Sequence, residues 1–136
     1  MAKNSKTFSF EFFPPKTASG QEKVISLGKE FESVPAEYYS VTFGAGGSTQ
    51  QGTIDTCRSL FNATKVPIAP HISGIGSDKS SIKSMLQLYK DEGFKKLVVL
   101  RGDLPSGFGS VGDFPYAINL IEFINESFEN YFEIEV

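Results

Sequence analysis

Glu11 is the only carboxylate in the run Phe8-Ser9-Phe10-Glu11-Phe12-Phe13. An acid flanked by four phenylalanines loses hydration, which raises its pKa and suits it to donating a proton near neutrality. A salt bridge, or an edge position open to water, is the ordinary structural alternative. His71, the only histidine, sits between Pro70 and Ile72, where a hydrogen-bonded structural imidazole is commoner than a catalyst. Thr42 offers a hydroxyl inside a strand-like stretch. Arg101-Gly102-Asp103 places opposite charges on either side of a glycine, as a turn-stabilising ion pair or as a cation and a carboxylate presented to a ligand. Each signal is modest alone. All four fall near the C-terminal ends of consecutive strand-like runs, where one ligand could touch them together.

The elements that would position these residues alternate along the chain. Five runs rich in β-branched, aromatic or other apolar residues read as strands: Thr7 to Phe13, Tyr38 to Gly44, Pro67 to Ser73, Lys95 to Arg101 and Tyr131 to Val136. Between them lie four helical patterns. The clearest, Ile82, Met85, Leu86 and Tyr89, is preceded by Ser77-Asp78 as a cap and stopped by Gly93. The others use Ala117, Leu120, Ile121, Ile124 and Phe128; Val24, Leu27 and Phe31; and Ile54, Cys57, Leu60 and Phe61. The order β-α-β-α-β-α-β-α-β is that of parallel strands joined by right-handed crossovers. Within the strands, Ser9 and Glu11, Ser40 and Thr42, and Ala69, His71 and Ser73 alternate with larger apolar residues, so each strand is expected to have one apolar and one more polar face. Helices on one face and polar residues at the strand C-termini predict the (β/α)8 TIM-barrel class. A complete barrel takes about 250 residues, so 136 residues predict its first half, a single incomplete domain of four βα units and a fifth strand.

Two glycine-rich segments border the polar residues. Gly44-Ala45-Gly46-Gly47-Ser48-Thr49 matches neither the P-loop nor the dinucleotide fingerprint and reads as a flexible loop. Pro105 to Pro115 reads either as a lid or as plain exposed turns. The composition, 40% hydrophobic and 21% charged with net charge −3, is that of an ordinary globular protein. It contains no charge run suited to nucleic acid or a membrane surface. A lone Cys57, with no His or Cys at ligand spacing, argues against a structural disulfide or metal site and for a reducing, cytoplasmic setting. No stretch approaches the 18 apolar residues of a membrane span.

At these residues the sequence resembles the methylenetetrahydrofolate reductase family, particularly its bacterial-type members. The resemblance is carried by Phe10-Glu11-Phe12-Phe13-Pro14-Pro15-Lys16-Thr17, Ser40-Val41-Thr42-Phe43-Gly44-Ala45, Ala69-Pro70-His71-Ile72, Leu100-Arg101-Gly102-Asp103 and Tyr116-Ala117. It implies a flavoprotein of one-carbon metabolism, on the route to methionine, that passes a hydride from NADH or NADPH through FAD to 5,10-methylenetetrahydrofolate, giving 5-methyltetrahydrofolate. Glu11 then resembles the general acid that opens the folate's five-membered ring, and Asp103 the carboxylate that contacts the pterin near the flavin. Thr42, Phe43, Ala45, His71, Arg101, Gly102, Asp103, Tyr116 and Ala117 resemble flavin-pocket positions. Phe43 stands where many bacterial relatives have Tyr. As an N-terminal half-barrel the chain is expected to bind flavin poorly and to be inactive alone, the full-length enzyme being a homo-oligomer. The competing readings are another flavin- or pterin-using barrel enzyme and a non-catalytic binding module.

Overall fold

The computed structural model describes residues 6–43, 47–103 and 110–136. Along them run the strands β1 (Ser9–Phe12), β2 (Tyr38–Val41), β3 (Ile68–Ser73), β4 (Lys96–Leu100) and β5 (Glu133–Glu135). Helices α1 (Ala18–Glu30), α2 (Gly47–Ala63), α3 (Lys79–Asp91) and α4 (Ala117–Ser127) alternate with them, and Phe31–Ser33 forms a 3₁₀ turn. The alternation is as expected; the strands are shorter. Phe13, Thr42, Phe43 and Arg101 lie just past the strand ends, so Thr42 and Arg101 sit in the turns that leave β2 and β4, while Glu11 and His71 remain within β1 and β3. The chain divides into two compact units, Met1–Ala69 and Pro70–Val136, with β3 beginning in the first and continuing into the second.

In the first unit β1 and β2 run parallel, with Glu11 opposite Ser40 and Phe12 opposite Val41. Aromatic packing organises the layer behind them. Phe10 stacks on Phe31 with centroids 4.6 Å apart, and Phe12 meets Tyr39 edge-on at 5.2 Å. The fully buried Tyr39 donates its hydroxyl to Gly28 O at 2.8 Å. Its burial, together with the nearby Glu32 carboxylate, raises the phenol pKa above the ordinary value. Thr17 caps α1 by accepting from Gly20 N–H.

The inward stripe of α1 departs from the expected Val24, Leu27 and Phe31 at Leu27. The helix meets α2 through Gln21, which donates to Ser59 Oγ at 2.8 Å, and through Gly28, where an added Cβ would lie 2.6 Å from Leu60 Cδ2. Centring the contact on a glycine turns Leu27 outward, while the half-buried Phe31, in the 3₁₀ turn, packs on Phe10 and Phe12 as its place on the stripe predicts. In α2 Ile54, Cys57 and Leu60 are buried as expected, whereas Phe61, one residue round the helix, is exposed.

In the second unit β3, β4 and β5 run parallel, with His71 opposite Val98 and Ser73 opposite Leu100. Strand β3 is buried along its whole length, so its more polar face, with His71 and Ser73, is enclosed as well as its apolar one. Helix α3 follows its sequence signals closely: Ile82, Leu86 and Tyr89 are buried, and Gly93 ends it at a φ of 90°. Asp78 Oδ1 accepts from Ser81 N–H at 2.7 Å; the Ser81 main-chain and side-chain hydrogen bonds hold its carboxyl below the usual range. Asp113 supplies a second carboxylate, accepting from Lys79 N–H at 2.9 Å. Leu120 and Ile124 bury the inner face of α4.

Between β4 and β5, Lys96 is 11% exposed and lies 3.3 Å from both Glu133 Oε2 and Glu135 Oε1. Burial, the largest single influence, would lower its pKa, but the hydrogen bonds to Glu133 and Glu135 and the attraction of their charges together leave it raised. Stability from this group is therefore fully present below the unfolded lysine value of about 10.4 and is lost as pH rises through the higher folded value. Tyr39 acts in the same direction, so the wild-type urea midpoint should decline above about pH 10. Lys96→Met should make that decline shallower; an unchanged slope would contradict the reading.

Gly74, buried after β3, has no room for a side chain: a Cβ would lie 2.8 Å from Phe114 Cβ, an atom that cannot rotate away. Gly→Ala at a relaxed site gains about 0.4–1 kcal/mol, and overpacking costs about 1–3 kcal/mol. Gly74→Ala is expected to lower stability by about 1–2 kcal/mol in urea unfolding.

Candidate active site

The first residues beyond β4 are held by their main chain. The Arg101 carbonyl accepts two hydrogen bonds, from Ser73 Oγ at 2.9 Å and from Ile75 N–H at 3.0 Å. Gly102 follows with a φ of 82°, and a Cβ there would collide with Ser73 Oγ; only glycine fits. The Arg101 side chain turns toward the approach to α4, where Nε donates to Pro115 O at 2.8 Å and Nη1 reaches Gly102 O at 3.5 Å. Those carbonyl contacts replace the simple Arg101–Asp103 turn pair considered from sequence. Arg101 and Asp103 are both exposed.

Pro115 leads into Tyr116, whose ring is 65% exposed, and into Ala117, the first residue of α4. Asn119 Oδ1 accepts from Tyr116 N–H at 3.1 Å and closes the first turn. Upstream, Val111 O accepts from Gly76 N–H and Ser77 O accepts from Asp113 N–H. The described part of the segment expected as a lid, residues 110–115, is thus tied to the turn after β3, while residues 104–109 lie outside the described residues. His71 is buried in β3, two residues before Ser73 and on the same side of the strand. The second unit therefore places Arg101, Gly102 and Asp103 just past the end of β4, with Tyr116 joined to them through the Arg101–Pro115 contact, while His71 stays within β3 opposite Val98.

In the first unit Thr42 is pinned in a similar way. Its N–H donates to Phe12 O at 3.0 Å, and its carbonyl accepts from Thr53 Oγ1 of α2 at 2.8 Å. With both main-chain groups engaged, what Thr42 has to offer a ligand is its side chain. Phe43 follows, half-buried. Ala45 lies outside the described residues, and α2 already begins at Gly47, within the glycine-rich stretch expected to be a loop.

Glu11 lies in β1, but the apolar enclosure expected around it is not formed. It is exposed, and Phe8 and Phe13 are 56% and 70% exposed. Strand alternation places Phe10 and Phe12 on the opposite side from Glu11, against Phe31 and Tyr39. The desolvation expected from four flanking rings is therefore absent in this structure. Among the described residues, no group of three His, Cys, Asp or Glu is arranged to hold a metal, and no helix is long and apolar enough to cross a membrane.

Comparison with known proteins decides the family. The family model described as methylenetetrahydrofolate reductase matches residues 1–136. The chain belongs to the methylenetetrahydrofolate reductase family. It is similar to methylenetetrahydrofolate reductase 2 of Schizosaccharomyces pombe, 34% identical over 95% of this chain and 21% of the relative. It is also similar to 5,10-methylenetetrahydrofolate reductase of Pectobacterium carotovorum, 31% identical over 87% of this chain and 39% of the relative. Methylenetetrahydrofolate reductase (NADH) 1 of Arabidopsis thaliana is 33% identical over 95% of the chain and 22% of its own length. The chain thus spans well under half the length of these curated relatives. The fold class is that of the methylenetetrahydrofolate reductase (β/α)8 barrel, of which the chain carries four βα units and a fifth strand.

Sequence reasoning missed Ser73 and Thr53. Both are small buried hydroxyl residues whose partners, the carbonyls of Arg101 and Thr42, lie 28 and 11 residues away; the hydroxyl at the buried end of β3 was the available signal. Thr53→Val keeps the side-chain shape and removes the donor to Thr42 O. It should cost about 1 kcal/mol in urea unfolding, and an unchanged midpoint would show that the bond carries no weight.

Proposed function

We propose that these βα units carry flavin- and folate-binding residues of a methylenetetrahydrofolate reductase that converts 5,10-methylenetetrahydrofolate to 5-methyltetrahydrofolate at the expense of NADH or NADPH. Turnover in this proposal requires the further barrel units that the longer relatives possess. The observation that carries the reading is the Arg101-Gly102-Asp103 tip of β4, fixed by its main chain and exposing its charged side chains, in a chain matched from end to end by that family.

The donor set of the second unit fits a flavin dinucleotide. Arg101 supplies a guanidinium suited to a phosphate or a flavin oxygen, the N-terminus of α4 supports negative charge beside it, and Tyr116 offers an exposed ring for an aromatic face. Gly102 and Ala117 adjoin these groups in the chain, and His71, Thr42, Phe43 and Ala45 are proposed as further flavin-binding positions on the strength of the family resemblance alone. The chemistry such a flavin supplies is the relay of a hydride from the nicotinamide to the folate.

Glu11 is proposed as the general acid. It delivers a proton to the folate ring nitrogen whose bond to the bridging carbon breaks, opening the five-membered ring and leaving a cationic iminium at N5. Asp103 places a carboxylate where it stabilises that cation until hydride arrives at the bridging carbon and completes the methyl group. Glu11 is exposed in this structure, so the proposed role requires the bound ligand itself to supply the apolar surroundings that favour a protonated carboxyl. A reducing cytoplasm is the proposed setting, in keeping with the lone, buried Cys57, and a homo-oligomer is the proposed assembly.

The test replaces the matching segment of the Pectobacterium carotovorum relative with this chain and compares wild type with Glu11→Gln. The variant should retain flavin colour and nicotinamide-driven reduction of a quinone, and should lose folate reduction by about 10²–10⁴-fold. Folate reduction at the wild-type rate would remove Glu11 from the mechanism.

A further inference from the structure

We infer that Ser73 is a positioning residue for the β4 tip, acting through the Arg101 carbonyl to fix the direction in which Gly102 and Asp103 face a ligand. The inference rests on the flavin and folate reading only for the identity of that ligand. The lock itself is visible in the structure. Ser73, buried at the end of β3, donates its hydroxyl to Arg101 O at 2.9 Å, and Ile75 N–H donates to the same oxygen at 3.0 Å. Two donors on one carbonyl occupy both of its lone-pair directions, so the peptide plane joining Arg101 to Gly102 has little freedom to rotate. No peptide bond here is cis. In a trans peptide the N–H points opposite to the carbonyl, and Gly102 N–H is therefore directed away from Ser73 and Ile75.

Gly102 is the matching half of the device. Its φ of 82° and the collision a Cβ would make with Ser73 Oγ mean that the hydroxyl fits only against a glycine. From this fixed plane the chain continues into Asp103, whose carboxylate is exposed. The preceding residue sends its guanidinium to Pro115 O. A rotation of this one peptide would re-aim the Gly102 main-chain donor and release the φ of 82° from which the chain continues into Asp103. Positioning of that kind matters for binding, because a group held in place loses less freedom when the ligand arrives.

The experiment uses the 136-residue chain. Amide order parameters are measured without ligand for wild type, Ser73→Ala and Ser73→Thr, and each protein is then titrated with FAD while the flavin absorption is followed. Gly102 and Asp103 should show order parameters near the rigid-backbone value of about 0.85 in wild type and Ser73→Thr, falling toward the flexible range below about 0.6 in Ser73→Ala. Ile72, Val98 and Val99 should be unchanged in all three. Where Ser73→Ala does not fold, Ser73→Cys keeps the volume and weakens the donor, and should give an intermediate loss of order confined to the same two residues. The FAD dissociation constant should rise about tenfold in Ser73→Ala, the weight of one ordinary hydrogen bond, and stay within about twofold of wild type in Ser73→Thr. Unchanged order at Gly102 and Asp103 in Ser73→Ala, or loss of order spread evenly over β3 and β4, would overturn the inference. A wild-type chain that leaves the FAD spectrum unperturbed would overturn the flavin reading, and the lock would still be judged by the amide data.

Discussion

A parallel strand ends with main-chain groups that its neighbour no longer pairs, and a buried carbonyl left without a donor is costly. The turns of this chain depend on how that requirement is met. At Thr42 the carbonyl is closed by the hydroxyl of Thr53 from the following helix. At Arg101 it is closed by the hydroxyl of Ser73 from the preceding strand and by the Ile75 amide. Short hydroxyl side chains suit this role because they reach one main-chain oxygen and fill little volume. The consequence is functional as much as structural: residues that leave a strand tip with their carbonyls fixed carry their side chains out in fixed directions.

The charged groups are divided between two environments. Lys96, Glu133 and Glu135 form a partly buried cluster between β4 and β5, where the lysine is held above its ordinary pKa by its two partners. Arg101 and Asp103, one strand length further along, are exposed and joined to main-chain carbonyls or to solvent. The first set supports pairing of the strands. The second stands at the C-terminal end of β4, where barrel enzymes gather their reacting groups. Asp78 and Asp113 serve a separate purpose, anchoring the start of α3 from the turn after β3 and from the segment that leads to α4.

The alternation of strands and helices was legible because the apolar spacing was regular and punctuated. Ile82, Leu86 and Tyr89 with Asp78 before and Gly93 after describe α3 almost completely. Helix α1 was misread by one residue, since Leu27 outranks Gly28 on any hydrophobic count, yet close approach to Leu60 selects the residue without a side chain. Glu11 was placed correctly in its strand and wrongly in its surroundings. Neighbours in sequence alternate sides of a strand, so Phe10 and Phe12 pack behind β1 and cannot enclose the carboxylate between them. The motif at Arg101-Gly102-Asp103 was visible at once, but the reason its middle residue must be glycine was not, because the obstructing hydroxyl belongs to a strand 29 positions earlier in the chain. Long-range closure of a carbonyl leaves no periodic trace in sequence.

The tip of β4 is proposed as a flavin-binding element. That role is tested most directly by the visible difference spectrum of FAD titrated with the 136-residue chain, wild type against Arg101→Ala. Wild type should perturb the flavin band saturably, even at the modest affinity expected of part of a barrel, and the perturbation should disappear with Arg101→Ala. A flavin spectrum unperturbed by wild type at the highest protein concentration, or perturbed equally by Arg101→Ala, would contradict that role.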